Sequence, residues 1–312
     1  EPLLNALDDL EGDFKARRRA AKDLARIGDE RAIPTLVERF LADDGEAAWW
    51  GIMVAMNKMA RDDPEKGKII GDELLDAAKD PDQMAKMAQN WLFVDQSMFG
   101  GRGGWEKQLE RFLLDGDKET KLRVGITMHD AGPINEKTQR TFAKVLLEDG
   151  DAEVRVMAAT SLATGYGRSV IPELKQSFKK DESDDVRAAS LETLTSLRAP
   201  DMVPINIQAT QDEAARIRQA GASGLGVIEM SSAESRQAIT ALKAVVDDGT
   251  LEVRLRALAA LGARKSREAL PDVVKGLQSK NAKTVTVAFH ALSNIAFGVA
   301  LDEDTTNLVV EM

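Results

Sequence analysis

The side chains able to do chemistry are few and far apart. The chain holds two histidines, His129 and His290, and no cysteine. A nucleophile needs a base within hydrogen-bond reach, and a zinc site needs several His or Cys ligands converging on one point. Every serine here has the same two distant candidates as a base, so a Ser-His-Asp arrangement finds no support. Lack of cysteine also removes disulfides and thiolate metal sites. The turns Asp115-Gly116-Asp117 and Asp149-Gly150-Asp151 bring carboxylates together, but without the ligand spacing of a calcium loop. One further segment, Phe99-Gly100-Gly101-Arg102-Gly103-Gly104-Trp105, could hold a carboxylate or phosphate on successive N–H groups beside Arg102. No Lys-Ser/Thr follows it and no strand precedes it, so a flexible connector is the simpler reading of Phe99, Arg102 and Trp105. These residues lead us to expect no enzyme, no metal and no cofactor.

The remaining chain reads as a carrier of surfaces. A Val-Arg type dipeptide recurs at Val154-Arg155, Val186-Arg187, Ile217-Arg218 and Val253-Arg254. With degenerate copies, the Val position is occupied by Ala16, Ala48, Met84, Thr120, Val154, Val186, Ile217, Val253 and Thr284. The spacings are 32, 36, 36, 34, 32, 31, 36 and 31 residues, a mean of 33.5. Such a period marks a helical array. Apolar or small residues follow at offsets 0, 4, 7, 8 and 11, as in Val154, Ala158, Ser161, Leu162 and Gly165, which is one stripe of a helix. A second helix precedes each of these, opened by proline in Pro2-Leu3-Leu4, Pro34-Thr35-Leu36, Pro172-Glu173-Leu174 and Pro271-Asp272-Val273. Between the two helices, Gly is expected to end one in the left-handed region, and Asp13, Asp117, Asp151, Ser183, Thr250 and Asn281 to cap the next.

This unit resembles the HEAT repeat, especially the short bacterial form of the phycobilin-lyase type. The resemblance covers the whole chain and implies an all-α fold, a right-handed α-solenoid of about nine two-helix repeats of the armadillo/HEAT class. Repeat limits fall near 1–28, 29–60, 61–96, 97–132, 133–166, 167–198, 199–228, 229–264 and 265–298, with 299–312 an unpaired outer helix or cap. The resemblance further implies that the proline-marked helices lie on an outer, convex side and the Val-Arg helices on an inner, concave side. It gives Arg17, Lys121, Arg155, Arg187, Arg218 and Arg254 a structural role, in a ladder with acidic residues of neighbouring turns. The His-Glu pairs by which HEAT-repeat deoxyhypusine hydroxylases bind iron are absent, since neither histidine precedes Glu.

Function is then expected where the copies differ. All four tryptophans, Trp49, Trp50, Trp91 and Trp105, fall in the second to fourth copies, and Trp49 replaces the ladder arginine. Trp91 sits on the apolar stripe and reads as core, whereas Trp50 projects away from it, as a binding residue or a repacked joint would. Offsets 3, 6 and 9 should face the concave side, which nominates Met87, Asn90, Arg123, Ile126, His129, Met157 and Thr160 beside Trp50. A groove of this mixed character suits a protein segment. The first expectation is therefore a non-enzymatic scaffold or adaptor that binds a protein partner at repeats two to five. An accessory factor resembling bilin-lyase subunits, handling a tetrapyrrole or assisting modification of another protein, is the alternative. A HEAT-like DNA glycosylase is disfavoured, because net charge of −10 weighs against nucleic acid and anionic membranes. The first Val-Arg helix is nonetheless basic, with Arg17, Arg18, Arg19, Lys22 and Arg26, and either a hydrated cap or an acidic partner would account for it. No apolar run approaches a membrane span and no leader pattern opens the chain, which favours a soluble, cytoplasmic protein. A start at Glu1 leaves export through a removed leader as the alternative.

Overall fold

The computed structural model describes residues 2–8, 14–42, 46–77, 80, 110–130, 136–164 and 168–298. Side chains are described for all of these except 8, 14, 46–49, 75, 127–130, 164, 297 and 298. Contacts divide the chain into two compact units, Glu1–Val145 and Leu146–Met312.

In the first unit α1 is Pro2–Asp8, α2 Phe14–Ile27, α3 Ile33–Ala42, α4 Glu46–Asp62, α5 Pro64–Ala77 and α6 Lys118–Asp130, with α7, Glu136–Glu148, running across its end. Proline opens α1 and α5 and stands second in α3, where its missing N–H costs no intrahelical bond. The Val-position helices α2 and α4 pack side by side, while α1 lies on α2, and α3 and α5 lie on α4. Gly28, just past α2, has φ +69° and its N–H meets the Leu24 carbonyl at 2.9 Å, a left-handed helix end that favours glycine.

The second unit repeats the same pairing. Its helices are α8 Ala152–Ser161, α9 Ile171–Lys180, α10 Asp184–Ser196, α11 Met202–Ala209, α12 Ala215–Val227, α13 Ser232–Ala244, α14 Leu251–Ala263, α15 Leu270–Leu277 and α16 Ala282–Gly298. The Val-position helices α8, α10, α12, α14 and α16 pack each on the next. The helices that precede them in each pair, α9, α11, α13 and α15, pack on α10, α12, α14 and α16; α13 alone of these holds no proline. Val154, Ala158 and Leu162 are fully buried, as are their counterparts Val186 and Leu194. Small residues set the spacing: a Cβ built on Gly262 would lie 2.5 Å from the Ala291 Cα, so α14 and α16 touch backbone to backbone.

The Val-position helices thus start where the repeat placed them in every described copy. Two local expectations are corrected. Gly116 and Gly150 do not take the left-handed region. At Gly116 the constraint is space, since a Cβ would meet the Phe112 carbonyl oxygen at 2.5 Å. Capping is also narrower than expected. Asp117, Asp151 and Asn281 accept backbone N–H groups, but Ser183 and Thr250 make no side-chain cap bond. Their turns are closed two residues earlier, where the Asp181 and Asp248 carboxylates accept the Ser183 and Thr250 N–H at 2.9 and 2.8 Å. Asp13 and the 299–312 cap lie outside the described residues.

Candidate protein-binding face

The register of the Val-position helices decides which side chains can meet a partner. Offsets 0, 4, 7 and 8 face the core, so the opposite side should show at offsets 2 and 6. Offset 6 is exposed at Lys22, Val54, Ile126, Thr160, Ala259 and His290, and half-buried at Glu192 and Ser223. Trp50, at offset 2, is 43% exposed and stands one turn before Val54, 44% exposed. Ile126 is 56% exposed. Three large apolar side chains in the first unit therefore face solvent on helices whose other side is core. Val54 belongs to this row on its offset alone; nothing else in its sequence surroundings marks it.

Offset 3 behaves differently, and Met157 is a correction. It is 8% exposed and packs inside, its sulfur 3.6 Å from the Ser161 hydroxyl. Offset 3 is likewise buried at Gly51, Ala189 and Ala220, where the residue is small, but exposed at Arg19 and Arg256. Arg123 at this offset is half-buried and its Nη2 donates to Glu119 at 2.7 Å. Thr160 is exposed but its hydroxyl donates to the Val156 carbonyl at 2.9 Å, one turn back. His129 falls within α6, its side chain outside the described set, and Met87, Asn90, Phe99, Arg102, Trp105 and Trp91 lie outside the described residues. His290 is exposed on α16 with its ring 6.2 Å from that of Phe289. Among the described residues no group of three His, Cys, Asp or Glu side chains could hold a metal ion.

In the second unit, arginines after the Val position tie successive repeats together. Arg155 Nε and Nη2 both donate to Asp181 at 2.9 Å, and its Nη1 donates to the Asp149 carbonyl at 2.9 Å. Arg218 does the same with Asp248, at 2.7 and 3.0 Å, and with the Asp212 carbonyl at 2.9 Å. Each such arginine grips its own turn and the acidic turn of the next repeat. Bidentate pairing to a buried carboxylate raises both guanidinium pKa values above their ordinary level. The Arg218 hydrogen bond likewise holds the Asp248 carboxyl below the usual carboxylate range. A carboxyl lowered in the folded state stabilises it above the unfolded pKa, and that contribution is lost as pH falls through the folded value. Melting temperature should accordingly drop below about pH 4, and Asp248→Asn should flatten part of that drop. A profile unchanged by the substitution would contradict this.

The ladder is not continuous. Arg187 pairs with Asp184 of its own first turn rather than with the next turn's Asp212, which corrects its expected rung, and its Nε is buried without a hydrogen-bond partner. Another pair joins these repeats: Arg216 of α12 reaches back to Glu192 of α10 at 2.7 and 3.2 Å. Beside the missing rung a cleft of about 920 Å³ opens, lined by Lys179, Arg187, Ile205 and Asp212 among others. Arg254 donates to the Asp248 carbonyl but forms no ion pair with a described residue, because Ser279 occupies the acidic position of the last turn. Arg17 is buried and Lys121 half-buried.

Sequence and structure comparisons agree with this architecture. The profile of HEAT repeats matches residues 138–226 and 171–252, and that of the PBS lyase HEAT-like repeat matches 16–41. No curated protein matches the chain in sequence. The karyopherin Kap121p, solved bound to the SUMO protease Ulp1p, superposes with TM-score 0.62 at 16% identity over 94% of this chain and 37% of that one. Kap95p, solved with RanGDP, gives 0.57 at 12% identity over 94% and 45%. The chain thus spans less than half of these karyopherins, and identities this low establish the shared fold alone. The complex of CpcE and CpcF of phycocyanin lyase from Nostoc aligns at TM-score 0.41 and 21% identity over 51% of this chain and 99% of that one, too distant to carry an argument. No described helix is long and apolar enough to cross a membrane. Paired helices stacked through their Val-position members give an α-solenoid fold, with HEAT repeats matched over 138–252 and a PBS lyase HEAT-like repeat over 16–41.

Proposed function

We propose that this protein is a non-enzymatic scaffold or adaptor that binds a protein segment along the solvent-facing row of its Val-position helices. The observation that carries the reading is the exposure of Trp50, Val54 and Ile126 at offsets 2 and 6 of helices that bury their opposite side. Exposed apolar side chains are common singly, but a row in register on a scaffold that stacks its helices gives a segment successive anchors. Trp50 is the strongest single anchor, since tryptophan dominates interface energetics. Arg123 borders the row on α6, and Met87, Asn90, His129 and Thr160 extend it on sequence grounds.

The test is affinity capture with the intact chain and with Trp50→Ala/Met87→Ala/Ile126→Ala. We expect the captured partner to be lost, by at least about tenfold, with melting unchanged. A partner retained by the triple variant defeats the reading.

The PBS lyase HEAT-like match over 16–41 favours a second reading, an accessory factor for a tetrapyrrole or for modification of another protein. Mixing the protein with bilin or haem separates the two: a scaffold leaves the visible spectrum unchanged, and a shifted, saturable absorbance supports the accessory factor.

A further inference from the structure

We propose that the joint face of α2 and α4 binds an acidic protein segment that also carries apolar side chains; this rests on the protein-binding reading above and names the partner's chemistry. Arg18, Arg19 and Lys22 are exposed on α2 and form no ion pair with any described residue. Arg26, a further turn along, reaches Asp23 only at 4.0 Å. The chain as a whole is acidic, with net charge −10, so cations left unneutralised on one face form a local exception to the field of the molecule.

This cationic row adjoins the apolar one. A Cβ built on Gly51 of α4 would lie 2.6 Å from the Arg18 Cγ, so the Arg18 stem lies across α4 at the residue after Trp50. Trp50 and Val54 follow one another by a turn, and exposed Lys58 and Arg61 continue the same side of α4. Among the described side chains of the two helices, the acidic ones are Asp23, half-buried on α2, and Asp62, already bound to Lys58. Rows of cation and hydrophobe side by side match a helix or strand with carboxylates along one edge and apolar groups along the other. A nucleic acid would satisfy the cations, yet its phosphates bury nothing against Val54 and the rest of the chain repels it.

The proposal is tested with the full chain and a fluorescein-labelled amphipathic peptide of about 20 residues bearing Glu and Leu at helical spacing. Comparison probes are the same peptide with Lys for Glu and a single-stranded oligonucleotide. We expect the acidic peptide to bind with Kd on the order of micromolar. Binding should weaken several-fold as salt rises from about 50 to 300 mM. Arg18→Glu/Lys22→Glu should weaken it at least about tenfold and Trp50→Ala about as much, with Val227→Ala, 74% exposed on α12, neutral because it lies on neither helix. Arg18→Gln/Lys22→Gln provides the same test with less disturbance should the reversed pair melt early. Binding as tight as wild type by the charge-reversed and neutralised variants, or tighter binding of the Lys peptide or the oligonucleotide, overturns the proposal. If the Trp50/Met87/Ile126 triple variant loses its captured partner while charge reversal changes neither capture nor peptide binding, the acidic-segment proposal fails alone. If neither variant reduces capture, the scaffold reading falls with it.

Discussion

Arg155→Ala should destabilise the second unit by about 3–5 kcal/mol, and Asp181→Asn by a comparable amount. The two side chains are 7% and 8% exposed and meet through two 2.9 Å hydrogen bonds, while the remaining Nη1 holds the Asp149 carbonyl. Removing one partner leaves the other's charge buried without compensation, and that penalty, rather than the net worth of the pair, is what denaturation measures. Asp212→Asn is the matched control. It occupies the same place in the next turn, but Arg187 turns to Asp184 instead, and Asp212 keeps only the Ala214 N–H at 2.9 Å. An asparagine oxygen can accept that bond, so the loss should stay under about 1 kcal/mol. Urea denaturation of the three variants checks the order; equal losses at Asp181 and Asp212 would show that the ladder is not selective.

Gly224→Ala should cost about 2 kcal/mol net, from overpacking of about 3 kcal/mol against a helix-propensity gain of about 1. A Cβ there would stand 2.1 Å from the Asn206 Oδ1 and 2.7 Å from its Cγ, so α11 and α12 must separate. Asn206 is fully buried, with its Nδ2 donating to the Met202 carbonyl at 2.8 Å and to the Thr195 hydroxyl at 3.3 Å. Its Oδ1 is buried without a partner. Asn206→Ala in the Gly224→Ala background should therefore recover most of the loss, a coupling that contact between the two sites requires. Gly249→Ala, with nothing within 4 Å of its Cβ, should change stability by no more than about 0.5 kcal/mol. Thermal melts of the four proteins decide it, and a Gly224→Ala protein as stable as wild type would contradict the packing.

How much of this could be read beforehand follows from which constraints are local. The helix starts at Val154, Val186 and Val253 follow from an apolar stripe, and that at Val186 also from a proline-opened partner, both written along the chain. The rungs at Arg155 and Arg218 were marked by residue type, through resemblance to the repeat family. Whether a rung closes depends on the position of the next turn, which no residue near Arg187 encodes, so its pairing with Asp184 was not legible. Ser183 and Thr250 have the right type for caps, yet a carboxylate two residues earlier closes each turn first. For the binding face, offset 6 was readable because it lies opposite offsets 4 and 8 on any helix. Offset 3 was not, because Met157 is covered by packing between successive Val-position helices, and that depends on small residues in the neighbouring copy.

In the proposed function one protein segment lies along the row that includes Val54 and Ile126. The most direct measurement places a photoreactive amino acid at Val54, at Ile126, or at Ile69 of α5, which is also exposed at 37% but on a proline-type helix. After illumination of the intact protein with its captured partner, crosslinked peptides are sequenced by mass spectrometry. Val54 and Ile126 should label neighbouring stretches of one partner segment, and Ile69 should label none. Labelling through Ile69 with none at Val54 and Ile126 would place the partner on the opposite side of the helix pairs and contradict it.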